Sequence, residues 1–160
     1  MKVGFISLGC SKNLVDTEHM MGALKAAGHE IVNNPEMADA VVVNTCGFID
    51  DAKKEAIDTI VEMGLLKEQG KFRILLAAGC LAQRYPDDLL RELPELDAVV
   101  GVKDYLRLPS ILDACMAGER QRAVSGWPEK YSLQTARVVS TPPGWAYLKI
   151  AEGCNNRCTY

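Results

Sequence analysis

Short, unbroken apolar runs alternate with stretches of helical period along the first two thirds of the chain. Val3 to Leu8, Ala40 to Val43 and Ile74 to Ala78 are runs of this kind. A run without polar alternation suits a strand buried on both faces, as in a parallel sheet. Ala98 to Val100 is a shorter candidate, and His29 to Val32 is more polar and is expected nearer an edge. Between the runs the period changes. Ile57, Ile60, Val61, Gly64 and Leu65 fall on one face of a helix that begins near Asp50, where Asp50, Asp51 and Glu55 favour the helix dipole. Leu14, Met21 and Leu24 mark an earlier helix that Gly28 can end in a left-handed turn. Arg84 to Leu93 and Pro109 to Ala117 complete the series. Helical stretches between buried strands imply right-handed crossovers, hence an open parallel α/β sheet with helices on both faces, Rossmann- or flavodoxin-like.

After Gly118 the pattern dissolves into a mix of charge, Gly and Pro, with one β-segment expected at Ala136 to Val139. From Ala146, AYLKIAEGC reads as a fresh strand. The expected organisation is a domain over 1–117, a linker over 118–143, and the first strand of a second, truncated domain over 144–160. That last stretch is expected to find no partner within the first domain.

Composition adds boundaries. Of 160 residues, 48% are apolar and 24% charged, as in ordinary globular proteins, and no apolar run approaches the length that crosses a bilayer. The N-terminus lacks a signal-peptide layout, so a cytoplasmic location is expected. A net charge of −3 argues against a nucleic-acid-binding surface spread over the chain. Six cysteines in a chain large enough to fold without staples, in a reducing compartment, read better as ligands or reactive thiols than as disulfides.

Three of them, Cys10, Cys46 and Cys80, directly follow the three best strands. Parallel strands put their carboxyl ends on one edge, where open α/β sheets bind ligands. The three thiols are therefore expected to converge, although 36 and 34 positions separate them. Gly9, Gly47 and Gly79 beside them allow sharp turns and close approach. Three thiolates suit an iron–sulfur cluster with one open iron; zinc is the alternative, although its structural sites want a fourth ligand. Cys115 sits in a helical pattern and reads as a small buried hydrophobe. Cys154 and Cys158 form a C-x3-C pair in EGCNNRCTY, and Tyr160 fills the aromatic place of C-x3-C-x-(aromatic)-C.

ISLGCSKNLVDTE, VVVNTCGFIDDAKKEAIDTI, AAGCLAQRYPDDL and AYLKIAEGCNNRCTY together resemble the methylthiotransferase family of radical-SAM enzymes. The G-C-S-K-N-x-V-D and N-T-C-G-F-I patterns resemble the branch that modifies an aspartate of a small-subunit ribosomal protein. The resemblance implies that Cys10, Cys46 and Cys80 hold an auxiliary 4Fe–4S cluster. It implies that Cys154 and Cys158 are two of three ligands of a second 4Fe–4S cluster, with Tyr160 against S-adenosyl-L-methionine. The truncated second domain would be the start of a radical-SAM barrel. Implied partners are the ribosomal protein, a sulfur donor and an electron donor, with no membrane or nucleic acid. The alternatives are a transfer-RNA methylthiotransferase and, for this piece alone, a non-catalytic metal-binding module. Among neighbouring residues, Asn13 and Asp16 are expected to cap a helix. Asn44 and Thr45 bond the local backbone or cluster sulfurs, Lys12 favours a thiolate at Cys10 or stands in solvent, and Gln83 and Arg84 face the cleft or open a helix. His19 and His29 read as structural.

Overall fold

The computed structural model describes residues 1–126 and 136–152. The elements run β1 (Lys2–Ser7), α1 (Ser11–Ala26), β2 (Glu30–Val32), β3 (Ala40–Thr45), α2 (Asp50–Glu68), β4 (Ile74–Gly79), α3 (Cys80–Arg84), α4 (Pro86–Glu92), β5 (Ala98–Val100), α5 (Leu108–Met116) and β6 (Gln121–Ala123). The six strands make one sheet in the order β2-β1-β3-β4-β5-β6, parallel throughout.

The unbroken apolar runs are explained by burial on both sides. Along β3, Ala40 and Val42 face a core shared with Met20 and Leu24 of α1 and Ile111 and Leu112 of α5. Val41 and Val43 face the opposite core, with Ala56 and Ile60 of α2 and Leu89 of α4. The chain starts at β1, turns outward to β2, then crosses back to β3 and continues the other way. The order of strands reverses between β1 and β3, and that is where an open sheet leaves a crevice at its carboxyl edge.

Several expectations change. The buried side of α2 carries Ala56, Ile60, Met63 and Gly64, whereas Ile57, Val61 and Leu65 are exposed. Small residues let the helix approach closely: a Cβ on Gly64 would lie 2.7 Å from the Glu95 side chain. The stretch expected as one helix over 84–93 is two, parted at Tyr85 because Pro86, at the first turn of α4, brings no N–H to continue α3. The sheet runs into the stretch expected as linker, since Gln121–Ala123 pairs with β5.

Residues 136–140 and 146–150 form no strand. They lie instead against α1. Val138 donates its N–H to the Glu18 carbonyl, and a Cβ on Gly22 would lie 2.2 Å from the Ala136 oxygen. The buried Glu18 carboxylate accepts from Arg137 Nε at 2.8 Å and from Ser140 N at 2.6 Å. The expectation that the chain beyond 144 lacks a partner in the first domain thus fails for the described residues. Polar side chains on α1 supply the partner that the sheet edge was expected to withhold. No helix among the described residues is long and apolar enough to cross a membrane.

Candidate functional site

Strand register sets the site. Ser7 of β1 is level with Asn44 of β3, which is level with Ala78 of β4. Cys10 comes three residues beyond Ser7, Cys46 two beyond Asn44, and Cys80 two beyond Ala78, so all three leave the sheet at its carboxyl edge, beside the reversal in strand order. Cys10 is exposed and precedes the first turn of α1; Cys46 is buried; Cys80 is half-buried and opens α3.

Two glycines let these loops close on one another. Gly9 has φ +87°, and a Cβ there would lie 2.5 Å from Cys46 Cβ and 3.0 Å from its Sγ. The loop carrying Cys10 therefore lies directly on Cys46. Gly79 has φ +98°, and its Cβ would lie 2.3 Å from Asn44 Oδ1. Either position would be strained and overfilled with any other residue.

Asn13 fastens the loops. It is fully buried, and its Nδ2 donates to Leu8 O and Thr45 O, each at 3.0 Å, joining the loop before Cys10 to the residue before Cys46. Its Oδ1 accepts from Cys80 Sγ at 3.7 Å. Asn44 Nδ2 donates to Asn13 O at 2.7 Å and to Thr17 Oγ1 at 2.9 Å, while Thr45 Oγ1 donates to Ala78 O at 2.5 Å. Asn13 and Asp16 were expected as helix caps. Instead Cys10 is the N-cap of α1, without a side-chain cap bond, and both residues are buried within the first two turns. Asn44 and Thr45 bond within the frame, as the local-bonding reading had it. Gln83 is buried, its Oε1 accepting from Val102 N at 3.0 Å, and Arg84 Nη1 donates to Gly47 O at 3.1 Å. Arg84 thereby ties the loop after Cys46 to the helix that Cys80 opens.

The electrostatics place the thiols within range of one another. Burial raises the Cys80 pKa; the Lys12 ammonium opposes that rise, and Cys46, Asp16 and Cys10 add to it. Burial disfavours the Lys12 ammonium, but Asp16, Cys80 and Cys10 outweigh it and raise its pKa. Lys12 is thus partly buried beside the thiols rather than free in solvent. Burial, with Asp16 and Cys80 nearby, also lifts the Tyr105 phenol well above its ordinary pKa. Sequence reasoning missed Tyr105, which stands 25 positions beyond Cys80, with α4 and β5 between.

Cys10, Cys46, Cys80 and Cys115 are free thiols. Among the described residues no three His, Cys, Asp or Glu side chains are grouped so as to hold a metal ion. Cys115 is away from the site, packed in the core of α5 with its Sγ 3.7 Å from Asp97 O. His19 is half-buried on α1 and His29 half-buried ahead of β2. Cys154, Cys158 and Tyr160 lie outside the described residues.

Over its whole length the chain is 54% identical to the ribosomal protein uS12 methylthiotransferase RimO of Caldicellulosiruptor saccharolyticus, covering 37% of that protein. It is 54% identical to the protein of the same name from Syntrophomonas wolfei, covering 36% of it, and 45% identical to that of Clostridioides difficile, again covering 36%. The chain therefore spans little more than a third of the length of these curated relatives. The model of the family described as uncharacterized protein family UPF0004 matches residues 2–101, from β1 to just past β5, and so takes in all three cysteine loops. By that match the chain belongs to the protein family UPF0004.

Proposed function

We propose that this chain is the N-terminal part of a radical-SAM enzyme that methylthiolates the β-carbon of an aspartate in ribosomal protein uS12. In this reading Cys10, Cys46 and Cys80 hold an auxiliary 4Fe–4S cluster. The observation that carries it is the closure of three cysteine-bearing loops at the reversal point of a parallel sheet, with Gly9 against Cys46 and Asn13 tying all three. The names of the relatives support the substrate and the reaction.

The donor set fits such a group. All three donors are sulfur, the thiols sense one another, and a partly buried ammonium stands beside two of them. A cluster gives each of the three thiolates its own iron. When bound, a cluster with three protein thiolates supplies one iron with an open position, on which a sulfur species can be held for transfer. The chain's own residues do the rest. Lys12 opposes the rise that burial brings to the Cys80 pKa, Gly9 and Gly79 leave room where a Cβ would intrude, and Asn13 keeps the loops in register. Cys154 and Cys158 are read as two of the three ligands of the radical-SAM cluster, with Tyr160 as a contact of S-adenosyl-L-methionine. A sulfur donor and an electron donor are further partners of this reading, in the cytoplasm. The 160 residues alone are expected to bind a cluster without turning over.

Anaerobic addition of iron and sulfide should give brown protein with about four irons per chain. Cys46→Ala should abolish uptake and Cys115→Ala should leave it intact. Full loading of Cys46→Ala would sink the three-cysteine site.

A further inference from the structure

Four buried or half-buried charges on two separate segments close into a ring. Asp16, 1% exposed, takes the Lys12 ammonium at 2.9 Å, one turn away on α1, and also the ammonium of Lys149. Both lysines reach Glu152 as well, Lys12 at 3.0 Å. Two members come from α1 and two from 149–152, more than 130 positions later in the chain.

The later segment is turned inside out. Lys149 is 7% exposed, while its neighbours Leu148 and Ile150 are 73% and 86% exposed. Apolar burial cannot hold a segment that faces its leucine and isoleucine outward and its lysine inward. The ion pairs hold it, because an ammonium at that depth is tolerable only when paired. The ring also adjoins the thiols. Lys12 is two positions after Cys10, in the first turn of α1, and Asn13 beside it accepts from Cys80 Sγ at 3.7 Å. At its other end, Glu152 stands two positions before Cys154 in the sequence.

We propose that Lys12, Asp16, Lys149 and Glu152 form a clamp that fixes the segment entering the C-x3-C sequence at the mouth of the three-cysteine site. Asp16 and Lys149 are its positioning residues. The clamp rests on the proposed function only for what the two sets of cysteines hold. Without it the entry to C-x3-C is tethered to the thiol loops by the chain alone. With it, the segment up to Glu152 is fixed to Lys12 and Asp16 of α1.

The test uses the 160-residue chain, anaerobic and reduced, as wild type, Lys149→Met and Glu152→Gln. Hydrogen exchange over 147–152 should quicken by about tenfold or more in both variants, while exchange in β3 and β4 stays as in the wild type. Iron uptake per chain should also be unchanged. A nitroxide carried by a non-canonical residue at position 150 adds a readout that folding alone does not move. After loading with iron and sulfide and reduction, the unpaired spin at the thiol site should shorten the label's relaxation, and both variants should lose most of that shortening. Unchanged exchange and relaxation in both variants would overturn the clamp. Failure of the wild type to take up iron would overturn the cluster reading instead, and exchange alone would then decide the clamp. If Lys149→Met does not fold, Glu152→Gln decides, since its side chain stands at the wetter side of the ring, 12% exposed.

Discussion

Asn13 stands in the first turn of α1, where a polar residue is ordinarily a contributor to the helix end. The structure gives it a different task, and the two tasks predict opposite outcomes for one substitution. Asn13→Ala removes the donors to Leu8 O and Thr45 O. Thr45 is buried and its carbonyl would be stranded; Leu8 is half-buried, and its carbonyl can recover part of its loss from water. At about 1–3 kcal/mol for each stranded group, discounted for Leu8, the loss is about 2–4 kcal/mol. For a chain of this size that lowers Tm by roughly 4–16 °C. Asn13→Asp separates the readings. At a helix N-terminus an added negative charge stabilises by about 0.3–1 kcal/mol. As the tie between two loops, the same change points a carboxylate oxygen at two carbonyl oxygens and sets a charge beside Cys80, so it should cost more than Asn13→Ala. The assay is urea and thermal unfolding of the reduced, iron-free chain, followed by circular dichroism. Asn13→Asp as stable as the wild type, or Asn13→Ala within about 0.5 kcal/mol of it, would refute the role.

Three further outcomes are expected. Gly79→Ala should cost several times more than Gly70→Ala in urea unfolding: both have positive φ, but Gly70 has open space around it while Gly79 abuts Asn44, so Gly70→Ala should lose only about 1–2 kcal/mol. Alkylation at pH 8 followed by peptide mass mapping should label the exposed Cys10 early and Cys115 last, because burial, with Asp97 nearby, pushes the Cys115 thiol up to about 11. Burial works against the Glu18 carboxylate, but hydrogen bonds from Ser140 and the Arg137 guanidinium outweigh it and hold its pKa below the ordinary 4.5. Its contribution is therefore complete at neutral pH and lost as pH falls through the folded-state value; exchange at 136–140 should rise there in the wild type, and Glu18→Gln should flatten that dependence.

The parts of the fold legible in the sequence are those whose cause is local. β1, β3 and β4 show as apolar runs because both faces of the sheet are covered, and the placement of Cys10, Cys46 and Cys80 at one carboxyl edge follows once the strands are parallel. β6 was invisible because Gln121–Ala123 is an edge strand joined by backbone bonds, with Arg122 turned out toward Asp87. The buried face of α2 holds Ile60 and Gly64 as the pattern had them, but it is turned so that Ala56 and Met63 are buried and Ile57, Val61 and Leu65 are exposed. A hydrophobic pattern weighs those three above Ala56, which the packing favours because it is small.

α1 shows why the site's frame was harder to read than its ligands. Val15, Met20 and Leu24 are buried, but so are Asn13, Asp16, Thr17 and Glu18, and no apolar stripe separates an inside from an outside. Each buried polar residue has a partner distant in the chain: Asn13 at Thr45, Asp16 at Lys149, Thr17 at Asn44, Glu18 at Arg137 and Ser140. A polar residue that will be paired in the interior and one that will stand in water look the same in sequence, since the difference lies in a segment up to 133 positions away. AYLKI carries the same ambiguity. Its alternation marks two sides, and apolar weighting assigns Leu148 and Ile150 inward. The carboxylates of Asp16 and Glu152 reverse that choice, because leaving them unpaired at that depth would cost more than exposing two aliphatic side chains.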